Sequence, residues 1–183
     1  MKHDPDKYHR RSIRLNDYDY AQEGSYFITI CAHNRECLLG DIANGEMSLN
    51  EMGTMVKKWW LKLKSKFPLI ETDAYVIMPN HFHGIIAAVG ADPRVCPDSG
   101  AHAGAPLPKI VQWFKTMTTN EYIRYVKTNS ANQWSSKLWQ RNYYEHVIRN
   151  EEALNAIREY IEENPSGWQQ DPDNPDLMRR SSL

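Results

Sequence analysis

Cysteine is scarce in this chain. Cys31, Cys37 and Cys96 are an odd number with no C-x-x-C spacing, which argues against a disulfide framework or a zinc knuckle and fits a reducing, cytoplasmic setting. No apolar run approaches the roughly 18 residues that a membrane span requires, and the N-terminus is charged, so a soluble protein with no membrane partner and no secretion signal is expected. No internal repeat and no shift in composition divides the 183 residues, so one domain with short tails is expected. Global basicity is also missing: the formal net charge is -1. Charge is instead partitioned along the chain. Lys57, Lys58, Lys62, Lys64 and Lys66 crowd one segment, Lys7, Arg10, Arg11 and Arg14 stud the N-terminal stretch, and acids collect in the last third. Both basic groups could follow a phosphate backbone, or be solvated faces and no more.

Residues 1–22 are polar and charged and read as a basic N-terminal arm; 23–165 read as the folded domain and 166–183 as a polar tail. Ser25 to Ala32 is dense in β-branched and aromatic residues and reads as a central strand. Asn44-Gly45 between two short apolar runs predicts a hairpin. Asn50 supplies an N-cap, and Met52, Val56, Trp59, Trp60, Leu63 and Phe67 at three- and four-residue steps predict a helix that Pro68 stops. Ala74–Met78 and His81–Ala88 read as antiparallel strands joined by Pro79-Asn80. Residues 89–106, rich in Gly, Pro and Ala, read as a mobile loop. Pro108 opens a second helix, 137–140 can be a short edge strand, and 145–163 reads as a long helix ended by Pro165 and Gly167. This order predicts an α+β fold of ferredoxin-like pattern, an antiparallel sheet with helices packed on one face.

His81-Phe82-His83 on a strand places two imidazoles on the same side, where both can reach one metal ion while Phe82 faces the other layer. The bland alternative is two half-buried histidines on a sheet face. His146 is the candidate third ligand, because the expected helix would set it three residues after Tyr143 on an adjoining face. Tyr143 and Tyr144 stand where the expected edge strand meets that helix. A phenol with an unperturbed pKa of about 10 becomes a useful nucleophile once a metal polarises the phosphate it attacks. Its product, a phosphotyrosine, stores the bond energy for rejoining.

Residues 75–86 (Tyr-Val-Ile-Met-Pro-Asn-His-Phe-His-Gly-Ile-Ile) and 138–152 (Leu-Trp-Gln-Arg-Asn-Tyr-Tyr-Glu-His-Val-Ile-Arg-Asn-Glu-Glu), with Tyr18-Asp-Tyr20, residues 24–31 and residues 44–47, together resemble the HUH single-tyrosine transposases, in particular the REP-associated tyrosine transposases. The likeness spans about residues 10 to 165. It implies a ferredoxin-like domain that binds single-stranded DNA beside a hairpin, uses Mg²⁺ or Mn²⁺, and forms a 5′-phosphotyrosine with release of a 3′-OH. By matching position, His81 and His83 correspond to the family's histidine pair and Tyr143 to its nucleophile, with Tyr144 the alternative. Insertion-sequence members often carry a Gln four residues after the tyrosine as third ligand; here Val147 or Ile148 stands at that place. Arg10, Arg11, Arg14, Lys57, Lys58, Lys62, Lys115 and Arg141 are the candidate phosphate contacts. Relatives act as homodimers or as monomers. Two other readings share these residues: a non-catalytic nucleic-acid-binding module on the same fold, and a zinc hydrolase using His81, His83 and His146 with metal-bound water as nucleophile.

Overall fold

The computed structural model describes residues 24–88, 106–128, 137–175 and 177. The expected arm, with Arg10, Arg11 and Arg14, and residues 89–105 of the expected loop lie outside the described residues.

Four strands form one antiparallel sheet: β1 (Gly24–Cys31), β4 (Ile70–Ile77), β5 (His81–Ala88) and β6 (Tyr144–Ile148), in the spatial order β4-β5-β1-β6. With the helices between β1 and β4 and between β5 and β6, this is the ferredoxin-like arrangement. The Asn-Gly pair makes the turn of a separate hairpin, β2 (Gly40–Ala43) and β3 (Glu46–Leu49). Asn44 and Gly45 have φ of 55° and 79°, the left-handed pair that a two-residue hairpin turn needs.

Asn50 caps α1 (Glu51–Leu61), its side-chain oxygen accepting from the amides of Met52 and Gly53. The short α2 (Leu63–Lys66) follows a break at Lys62. α1 and α3 (Leu107–Thr128) cover one face of the sheet, as expected, and close the main core of Tyr26, Ile28, Ile30, Val56, Trp60, Phe82, Ile86, Phe114 and Tyr122. Each such side chain contributes roughly 1.5–3 kcal/mol by leaving water. α4 (Glu151–Glu163) lies on the opposite face, where Ile161 packs with Phe27, Ile85 and Ile148.

The C-terminal third departs from the sequence reading. The edge strand is Tyr144–Ile148, and residues 137–140 supply only a bridge from Trp139 to Ala32. The last helix begins at Glu151 rather than residue 145, because Asn150 caps it through the amide of Ala153 and two acids fill its first turn. The spacing of Val147 from Leu154 fits a helix as well as it fits a strand followed by one. Residues that follow α4 turn back onto the domain: Trp168–Gln170 form a 3-10 turn, and the Asp173 carbonyl accepts from Asn80.

Candidate active site

Strand alternation puts Phe82 in the main core and turns His81 and His83 to the α4 face, where their rings lie 4.5 Å apart. Both are buried, with 1% and 5% of their surface exposed. The Pro79-Asn80 turn that precedes them is buried too, and its carbonyls and the Asn80 side chain are engaged. The carbonyls of Pro79 and Asn80 accept from Leu39 and Ala32, and the Asn80 amide donates to the carbonyls of Arg35 and Asp173. Those two donations fix the amide's orientation, so Asn80 Oδ1, 2.9 Å from His81 Nδ1, must accept from a protonated Nδ1. The lone pair of His81 is thereby placed on Nε2, which is buried and without a hydrogen-bond partner. His83 is anchored by Thr29 Oγ1, 2.8 Å from its Nδ1, which leaves Nε2 on the side of α4.

Burial pushes His81 down to about 4 and His83 to about 3, the neighbouring His81 adding to the second effect. Asp171 and the Asn164 side chain pull His81 back toward protonation, but desolvation prevails. Two neutral imidazoles, each anchored through Nδ1 and offering Nε2, are what a divalent metal requires of histidine.

Two further groups reach this point from α4. Tyr160 Oη lies 3.4 Å from His83 Nε2, and its ring meets that of His83 at a centroid distance of 5.4 Å. One helical turn later Asn164, 8% exposed, brings a buried Oδ1 with no hydrogen-bond partner to the His81 side. α4 is set against the sheet by Ile161 and by Arg158, whose Nε and Nη2 donate to Asp73 Oδ2 at 3.0 and 2.6 Å. Asp73 sits at the register shift in β4 between Thr72 and Tyr75. A buried, unpartnered ring nitrogen and a buried, unpartnered amide oxygen beside a second imidazole suit a divalent cation by donor type.

The tyrosines singled out by sequence are elsewhere. Tyr143 precedes β6 and packs against the main core, on the face away from the histidines. Tyr144 shares a row with Thr29 and His83 but stands two strands from His83, roughly 10 Å by strand spacing, and is 58% exposed. His146 is not in a helix; it faces Phe27 on the sheet edge and is exposed, so it does not complete the histidine pair. Among the described residues no three His, Cys, Asp or Glu side chains gather closely enough to hold a metal. Instead the structure brings Tyr160 and the amide of Asn164, neither singled out from the sequence, to the histidine pair. The signal was present: Tyr160 and Asn164 have the four-residue spacing sought in vain after Tyr143 and Tyr144.

The basic candidates also divide. Lys57, Lys58 and Lys62 are exposed on the α1 side, the layer opposite the histidines, and Lys58 pairs with Glu121. Lys115 is half-buried, pushed down to about 8 by that burial, and donates to the carbonyls of Gln140, Arg141 and Asn142. Arg141 is exposed beside the start of β6.

A family profile described as "Transposase IS200 like" matches residues 99–164, the stretch that contains β6, α4, Tyr160 and Asn164. The chain belongs to the IS200-like transposase family. A Haemophilus influenzae protein whose description assigns no function is 43% identical over 170 residues, covering 90% of this chain and 92% of that one. Among solved structures, a REP-associated tyrosine transposase bound to a REP hairpin superposes with a TM-score of 0.55 at 22% identity, over 85% of this chain and 73% of that chain. That similarity confirms the shared α+β fold of the transposase.

Proposed function

We propose that this transposase cleaves and rejoins single-stranded DNA beside a hairpin, with Tyr160 as nucleophile and a divalent ion, Mg²⁺ or Mn²⁺, held by His81 Nε2, His83 Nε2 and Asn164 Oδ1. The observation that carries the reading is the approach of Tyr160 Oη to His83 Nε2, with Asn164 one turn further along the same helix. The ion, when bound, supplies Lewis-acid polarisation of the scissile phosphate.

The chain's own residues supply the rest. Asn80 and Thr29 hold the two imidazoles by Nδ1, so that neither must reorganise to present Nε2. Phe27 stacks on His83 at 5.2 Å and meets the Tyr160 ring edge-on at 6.1 Å, keeping the phenol against the imidazole. Tyr160 remains 48% exposed, so a strand can reach it from solvent. Attack of Tyr160 Oη on phosphorus, its phenolic proton passing to solvent, forms the tyrosyl ester to the 5′ side as the bond to the 3′ oxygen breaks; that oxygen leaves as a hydroxyl with a proton from solvent. The reverse attack by a 3′-OH rejoins DNA without ATP. The relative bound to a REP hairpin supports hairpin-flanked DNA as the substrate.

The test uses labelled, hairpin-flanked single-stranded DNA with Mn²⁺, read as a covalent protein–DNA band on a denaturing gel. Wild type and Tyr143→Phe should form the band, and Tyr160→Phe should lower it by at least about four orders of magnitude, as loss of a nucleophile does. A band that survives Tyr160→Phe and disappears with Tyr143→Phe or Tyr144→Phe would overturn the assignment.

A further inference from the structure

The ligand set just proposed is electrically neutral: two imidazoles and one amide. Hard divalent ions favour carboxylate oxygen, and a site with no anion binds them weakly. The segment after α4 brings a carboxylate to this place. Asp171 Oδ2 lies 4.0 Å from His81 Nε2, the nitrogen that Asn80 leaves free, and its side chain is only 12% exposed. Its other oxygen, Oδ1, accepts from the Asp173 amide at 2.7 Å, so the two oxygens have separate duties and Oδ2 is the one turned to the imidazole.

The segment is fastened at several points. The Asp173 carbonyl accepts from Asn80 at 2.7 Å, Arg35 forms an ion pair with the Asp173 carboxylate, and Asn174 donates to the Trp168 carbonyl at 2.9 Å. Arg35 is engaged by the Asp173 carboxylate. A carboxylate this far withdrawn from water is stabilised by a cation that joins it.

We propose that Asp171 supplies the single anionic group of the divalent-ion site, an inference that rests on the His81, His83 and Asn164 assignment. The C-terminal segment is then part of the site, and it biases the site toward oxygen-loving ions.

Mn²⁺ affinity of the full chain without DNA, measured by calorimetry and by the electron paramagnetic resonance signal of free Mn²⁺, separates the possibilities. His83→Ala should abolish binding. Asp171→Asn, which keeps the size and the Oδ1 acceptor, should weaken it by about tenfold or more. Asp173→Asn, which removes the partner of Arg35 but not the carboxylate at His81, should stay within about twofold of wild type. Loss in His83→Ala with wild-type affinity in Asp171→Asn would overturn the role of Asp171 alone. Equal weakening in Asp171→Asn and Asp173→Asn would also overturn it, showing that segment docking rather than charge matters. Wild-type affinity in His83→Ala would overturn the ion site itself.

Discussion

Beneath α1 and α3 the sheet contributes Tyr26, Ile28, Ile30, Phe82 and Ile86 to a continuous apolar core, whereas the buried apolar cluster beneath α4 is only Phe27, Ile85, Ile148 and Ile161. That second face also carries the polar Thr29, His81 and His83. One strand serves both sides, since Phe82 anchors the core between two histidines that pay a desolvation penalty on the other face. Stability and chemistry are thereby separated by the thickness of a sheet, and each can be disturbed without the other.

The largest expected effect on stability is on the core face. Trp60, fully buried against Phe82, Phe114 and Tyr75, should cost about 3–5 kcal/mol when replaced by Ala, measured by urea unfolding, with the ligand geometry beyond Phe82 intact. A cost below about 1 kcal/mol would show that this core is not where the stability resides.

Acid attacks the other face. His81 and His83 titrate near 6.5 when unfolded but near 4 and 3 in the fold, so the unfolded chain holds more protons between those values. Their contribution is full above about pH 6.5 and is lost as the pH falls toward 3. Melting temperatures from pH 8 to 4 should fall with acid, and His83→Phe should flatten the slope; a slope unchanged by that variant would break the assignment.

A smaller and more local effect is expected at Thr29. Thr29→Val removes the partner of His83 Nδ1 at nearly constant volume. Mn²⁺ affinity should drop about tenfold with little change in urea midpoint. Equal affinity would mean that packing against Phe27 alone orients the ring.

The smallest effect belongs to the α1 surface. Lys57→Ala and Lys62→Ala should change stability by no more than about 0.5 kcal/mol and single-stranded DNA binding by less than about twofold. A large loss in a filter-binding assay would place the DNA path on the core side and end the simple division between faces.

Much of this division was legible in sequence because it follows from short-range rules. The β-branched run at 25–32, the Asn-Gly turn and the alternation of His81, Phe82 and His83 each give their structure locally. The proposed nucleophile was not legible in this way. Tyr160 lies 77 residues from His83 and sits in a helix whose apolar positions Leu154, Ile157 and Ile161 draw attention to its other face. Tyr143 and Tyr144 drew attention through the family resemblance and through an expected helix at residue 145, where the structure has the strand Tyr144–Ile148. The Tyr160-to-Asn164 spacing could have corrected this, since a third ligand four residues after a tyrosine was already expected on other grounds.

Asn80 gives the site a history as well as a shape. One amide touches Arg35 in the first quarter of the chain, His81 beside it, and Asp173 near the C-terminus, across 93 residues of sequence. Bonds that close so long a loop form late. Asp173 must be synthesised before its carbonyl can meet Asn80, so a growing chain still short of that residue carries both histidines with this clasp open.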